Sequence, residues 1–124
     1  MNLLLDTHVL LWWLSGAAQL REATRATIST AESVWVSAAT AWEIGIKTSS
    51  GKLEFHGDME EQLARNSFRP LPITVTHAIA AGKLPRRHGD PFDRMLVAQA
   101  QVESLTLVTH DASLSDYGGH ILVV

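Results

Sequence analysis

The sequence predicts an α/β fold, a three-layer α/β/α sandwich around a mostly parallel central sheet. Short apolar, β-prone runs alternate with longer stretches of helical spacing along almost the whole chain, the pattern of parallel strands joined by crossover helices. Acidic residues stand just past two of those runs, Asp6 after residues 2–5 and Asp111 after residues 105–109. That is where the carboxyl edge of an α/β sheet presents its ligand-binding residues. The length of 124 residues, 46% hydrophobic and 19% charged, suits one domain with one core.

Residues 2–5, ending at Asp6, have the near-continuous apolar character of a buried central strand. From Thr7 the chain has helical length up to a stop at Gly16. A second helix is expected over 19–30, with Leu20, Ala23, Ala26 and Thr27 along one side. Val34-Trp35-Val36 forms a short strand, and Ser37 is placed to cap a helix over 38–49 that stops at Ser50-Gly51. Glu43 shares a face with Ala39 and Ile46 and so leans inward. Another helix is expected over 58–66. The Pro-punctuated segment 69–73 forms an edge strand at best. A short helix over 76–82 leads into the basic loop 83–89, KLPRRHG.

Residues 88–111 give the plan its centre. Asp90 precedes Pro91, a favoured first helical residue, and therefore sits where an N-cap belongs. Asp93 falls in the first turn, and Leu96, Val97 and Ala100 follow at three, four and seven positions, so Asp93 heads the stripe that faces the core. A strand over 105–109 delivers Asp111, which could also cap a short helix over 112–116. Residues 120–124 form a last strand after the turn at Gly118-Gly119.

Composition narrows the class. There is no cysteine, hence no disulfide framework and no thiolate metal site, as a cytoplasmic protein allows. The apolar start carries Asp6 and His8, lacks a basic leader region and is too short for a membrane span, so neither signal peptide nor membrane helix is expected. A net charge of −3 and a pI near 6.0 argue against a non-specific nucleic-acid coat protein. They leave room for an enzyme with a local basic rim.

Each acid has an ordinary reading. Asp90 and Asp111 could be caps, and Glu43 could be an exposed partner of Lys47 one turn on. Four carboxylates directed at one sheet edge exceed what capping requires. Clustered anions repel one another, and burial raises the cost, so a cation must balance them. The donors are oxygens, without cysteine or a converging histidine pair, which selects hard ions such as Mg2+ or Mn2+. Sites of this kind position and polarise phosphate esters.

Four motifs, in this order, carry a resemblance. They are Asp6-Thr7-His8, the run SAATAWEI from Ser37 to Ile44, the run HGDPFDR from His88 to Arg94, and Leu107-Val108-Thr109-His110-Asp111. The set resembles the PIN-domain nucleases and is most similar to the VapC-type toxins of prokaryotic toxin–antitoxin systems, over nearly the whole chain. The resemblance implies an endoribonuclease that hydrolyses RNA phosphodiester bonds, with Asp6, Glu43, Asp93 and Asp111 as catalytic acids holding one or two Mg2+ or Mn2+ ions. It implies supporting positions at Ser37 and Thr40, beside the site, and at Asp90, with Asp116 as an outer ligand. It also implies a homodimer and a small antitoxin that blocks the acidic site. His110 departs from the pattern, since a basic Arg is common beside the last acid.

Lys47, Lys52, Lys83, Arg86, Arg87 and Arg94 are then candidates to hold phosphates, against the plain reading of a solvated surface. His88 is expected as a hydrogen-bonding loop residue, and Trp12, Trp13, Trp35 and Trp42 in the core or on a dimer surface rather than stacked on bases. A haloacid-dehalogenase phosphatase would need a second Asp where His8 stands, and a receiver domain would need a Lys after Asp111, which is absent. A non-catalytic RNA-binding or dimerisation module of the same fold, and a nuclease acting on DNA, are the remaining alternatives.

Overall fold

A computed structural model describes residues 1–87 and 89–124. Five strands, β1 (Asn2–Leu5), β2 (Ser33–Ser37), β3 (Arg69–Leu71), β4 (Thr106–Thr109) and β5 (Ile121–Val123), form one sheet in the order β3-β2-β1-β4-β5. All four pairings are parallel, so the sheet is more uniform than the mostly parallel one expected. Six helices connect the strands: α1 (Thr7–Ser15), α2 (Glu22–Ser29), α3 (Ala38–Ser49), α4 (Met59–Arg65), α5 (Val75–Lys83) and α6 (Pro91–Glu103). A 3-10 helix over Ala112–Tyr117 follows β4.

Strand alternation divides the core in two. Leu3, Leu5, Val34, Val36 and Val108 face one side of the sheet, where Val9 and Leu10 of α1, Ile28 of α2, Ile44 of α3 and Leu63 of α4 pack on them. Leu4 and Leu107 face the other, against Leu96, Val97 and Ala100 of α6 and Leu114 of the 3-10 helix. α5 lies outside this layer, packed on α6. β1 is central and buried on both faces, which explains its unbroken leucine run.

Most elements fall where the sequence puts them. α2 is shorter than expected, and its inward stripe is Thr24 and Ile28, following Leu20, whereas Ala23 and Ala26 are exposed. Of the residues placed beside Glu43, Ala39 is buried but Ile46 is exposed. The Pro-containing segment does form an edge strand, β3. Trp12, Trp13 and Trp35 are half-buried and Trp42 is exposed, edge-on to Phe92. Among the described residues no helix is long and apolar enough to cross a membrane.

The topology fixes where a site can form. From central β1 the chain builds outward through β2 to β3, then returns to the other side of β1 with β4 and β5. The reversal falls between β1 and β4, and ligands of open parallel sheets bind at the carboxyl ends of such a pair.

Candidate active site

Asp6 directly follows β1 and caps α1, and both its carboxylate oxygens are engaged. Oδ1 accepts from the Val9 amide at 2.8 Å. Oδ2 accepts from the Thr109 hydroxyl at 2.6 Å and from the His110 amide at 3.3 Å. Burial raises its pKa, opposed by those donors and by His8. Its carboxylate is thereby held in one orientation at the switch point.

Glu43 is 6% exposed and equally fixed. The Thr7 hydroxyl donates to Oε1 at 2.6 Å, and Lys47 donates to Oε2 at 2.7 Å. The helical pair with Lys47 and the inward position are therefore both real. The Glu43 hydrogen bond is the main reason that the Lys47 pKa is raised.

Asp90 caps α6, its Oδ1 accepting from the Phe92 amide at 2.8 Å and the Asp93 amide at 3.2 Å. Asp111 accepts from the Ser113 amide at 3.0 Å and begins the 3-10 helix. Both are caps, yet both also line, with Asp6, Glu43 and Asp93, one pocket of about 380 Å3 that Thr7, His8, Lys47 and His110 complete. Asp93, half-buried in the first turn of α6, registers this crowding. Desolvation first, then the charges of Asp90, Asp6, Glu43 and Asp111, push its pKa up to about 7.

The remaining expected site residues lie elsewhere. Ser37 is buried behind the pocket and caps α3, accepting from the Ala39 amide at 2.9 Å. Thr40 is also buried, its hydroxyl 3.4 Å from that of Thr7, so it backs the Thr7–Glu43 contact. Asp116 is exposed on the 3-10 helix and is not among the described residues lining the pocket. Arg94 turns from the acids to the end of α5, donating to the carbonyls of Ala81 and Leu84 at 2.9 and 3.0 Å. It is one of the six candidates to hold phosphates, but three backbone carbonyls and the Tyr117 hydroxyl engage its guanidinium. The expectation for His88 lies outside the described residues. His110 donates through Nδ1 to the Val124 carbonyl at 2.7 Å and stands edge-on to Trp12.

Thr7 and Thr109, to which the sequence alone assigns no role, hold Glu43 and Asp6 through their hydroxyls. Thr109 also accepts from the Asp111 amide at 3.0 Å, linking the two acids at the switch point. The available signal is position, a hydroxyl residue beside an acid at a strand end.

The donor set fits a hard divalent cation. Five carboxylates share one pocket, and burial first, then the charges of its acidic neighbours, push the half-buried Asp93 to about 7. As the side chains stand, no three His, Asp or Glu among the described residues are gathered into a coordination shell. A cation would have to draw them inward, and Asp93, with no carboxylate hydrogen bond among the described contacts, has the most freedom to move.

The family model of the PIN domain matches residues 3–119. The chain is 30% identical over 120 residues to Ribonuclease VapC22 of Mycobacterium tuberculosis, covering 94% of this chain and 92% of that protein. The fold superimposes on a chain of a toxin–antitoxin complex from Klebsiella pneumoniae with a TM-score of 0.71 at 20% identity, covering 98% and 97% of the two chains. It matches a chain of VapBC2 from Rickettsia felis, solved bound to a promoter DNA fragment, with the same TM-score of 0.71 at 12% identity, covering 99% and 98%. By the match of the family model over residues 3–119 and the 30% identity to Ribonuclease VapC22, the chain belongs to the PIN-domain family, on its VapC branch.

Proposed function

We propose that this chain is a divalent-cation-dependent endoribonuclease and the toxin of a toxin–antitoxin pair, acting in the cytoplasm. The carrying observation is the five-carboxylate pocket at the switch point, with Asp93 pushed up to about 7 by burial and its neighbours' charges. The similarity to a relative named as a ribonuclease favours RNA over DNA.

In this reading Asp6, Glu43, Asp93 and Asp111 would hold Mg2+ or Mn2+. When bound, such an ion polarises the phosphodiester and lowers the pKa of attacking water. The chain's own residues prepare the ground. Thr109 and the Val9 amide hold the Asp6 carboxylate in a fixed orientation, and Thr7 and Lys47 hold that of Glu43. Asp90 keeps the first turn of α6 in place beneath Asp93 and adds charge that favours cation uptake. Lys47 lines the pocket but is paired with Glu43, so phosphate binding calls for other cations beside the site. A small antitoxin would silence the enzyme by setting a cationic or blocking segment over these carboxylates. The likeness to chains of toxin–antitoxin complexes supports such a partner, and the family resemblance adds self-association as a homodimer.

The test compares cleavage of single-stranded RNA and a matched DNA with Mg2+, Mn2+ or chelator. RNA cleavage that needs the ion is expected. Asp6→Asn should abolish it while the circular dichroism spectrum and gel-filtration volume stay those of wild type. Near wild-type cleavage by that variant would remove Asp6 from the site. RNA bound but never cut, with every ion tried, would identify a non-catalytic RNA-binding module instead.

A further inference from the structure

The Arg94 guanidinium is the hub of residues 81–87, a segment that ends three positions before Asp90 of the acidic pocket. Its Nη1 donates to the Pro85 carbonyl at 2.9 Å and lies 3.3 Å from the Tyr117 hydroxyl. Its Nη2 donates to the Ala81 and Leu84 carbonyls at 2.9 and 3.0 Å. The last carbonyls of a helix lack intrahelical partners, and here an arginine from the neighbouring helix supplies donors and fixes the residues that follow. Leu84 anchors the segment in the second-face core. The Arg87 amide closes a tight turn onto the Pro85 carbonyl at 2.9 Å.

This turn carries Arg86 and Arg87, both exposed and in no ion pair among the described residues. Lys47, the basic residue inside the pocket, is already paired with Glu43. Asp90, whose carboxylate lines the pocket, is three positions beyond Arg87, so the two Cα atoms are at most about 11 Å apart. A chain of net charge −3 with five acids in one pocket repels a polyanion, and entry of RNA requires fixed cations beside it.

The geometry points to residues 84–87 as a backbone clamp for single-stranded RNA. Arg86 and Arg87 bind phosphates flanking the scissile one, and Arg94 is the positioning residue that holds the clamp from within. This inference rests on the nuclease reading for its substrate class. It departs from the sequence expectation by making Arg94 a support for phosphate-binding arginines and not a phosphate ligand.

The experiment measures binding of fluorescein-labelled single-stranded RNA in Mg2+ across a salt series. All proteins carry Asp6→Asn so that the probe survives. Arg86→Gln/Arg87→Gln should weaken binding about tenfold or more and make the slope of log K against log salt shallower by about 1.4, the share of two phosphate contacts on a single strand. Arg94→Gln should weaken binding in the same direction and speed amide exchange in the segment. It should add little once both arginines are gone, a non-additivity that a purely structural role would not produce. In proteins that retain Asp6, KM should rise with kcat nearly kept.

Unchanged affinity and slope in the Arg86/Arg87 variant would overturn the clamp, whether or not that variant lost affinity for a protein partner, and ion-dependent cleavage would still uphold the nuclease. Absence of cleavage by wild type, with binding lost in the double variant, would overturn the nuclease and keep the clamp. An Arg94→Gln effect that adds fully to the double variant would overturn the positioning role. If Arg94→Gln fails to fold, Arg94→Lys carries the same comparison.

Discussion

Asp93 shows at the residue scale how a site differs from a cap. Burial and the charges of its neighbours push its carboxyl up to about 7 in the folded chain, from an ordinary value of 3.8. Between those values the folded state binds more protons than the unfolded state, so stability without metal falls as pH rises through this window and levels off above it. Asp6, also raised, acts in the same direction. The melting temperature in chelator should therefore drop between pH 5 and pH 8, and Asp93→Asn should flatten that drop. A second comparison isolates the cation. If Asp93 only complemented the dipole of α6, whose cap is Asp90, Asp93→Ala would cost about 0.3–1 kcal/mol with or without metal. A member of a repelling cluster behaves otherwise. Asp93→Ala should be neutral or stabilising in chelator, and it should lose most of the increment a cation gives wild type, roughly 2.7 kcal/mol at a hundredfold excess over Kd. Four thermal melts decide it, and equal destabilisation in both conditions, with no metal effect on wild type, would leave Asp93 a partner of the helix dipole only. Its inward direction is legible in the sequence because Leu96, Val97 and Ala100 give a clear helical stripe. The roles of Thr7 and Thr109 are not, because a hydroxyl's partner depends on which strands lie side by side.

At the element scale, a helix boundary is legible where a capping residue marks it. Asp6, Ser37, Asp58 and Asp90 all accept backbone amides at the starts the sequence marks. α6 ends without a glycine. Ser104 takes the left-handed conformation at φ 57°, a geometry that costs a side-chain-bearing residue about 1–2 kcal/mol. Ser104→Gly removes that strain but loosens the unfolded chain, so a net gain of about 0.5–1 kcal/mol is expected. Urea midpoints would measure it, and a lower midpoint would show that the Ser104 side chain contributes more than its backbone strain costs. The inward face of α2 is poorly legible for a different reason. Its alanines and threonines differ little in hydrophobicity, so packing against the first-face core, rather than periodicity, selects Thr24 and Ile28.

At the scale of the whole molecule, the site exists only when distant parts of the chain meet. Asp6 ends β1, Glu43 comes from the helix after β2, Asp93 from α6, and Asp111 follows β4. The alternation of strands and helices is written locally, which makes the fold class legible. Strand order is not, because no short stretch says that β4 returns to the far side of β1. The pairing of Leu5 with Val108 and the hydrogen bond from the Asp6 amide to the Val108 carbonyl close that junction at 3.0 Å. A cation bound across it would stabilise the folded chain as a unit, which a core substitution away from the acids can test. Leu4 is fully buried on the second face. Leu4→Ala should cost about 2–5 kcal/mol, a large share of the stability of a domain this size. Because Leu4 takes no part in the pocket, the variant should bind the cation as wild type does. Mg2+ should then raise the unfolding free energy of both proteins by the same amount, even though their urea midpoints differ in chelator. An increment that shrinks in Leu4→Ala would mean that packing beneath β1, and not the carboxylates alone, sets the affinity of the site.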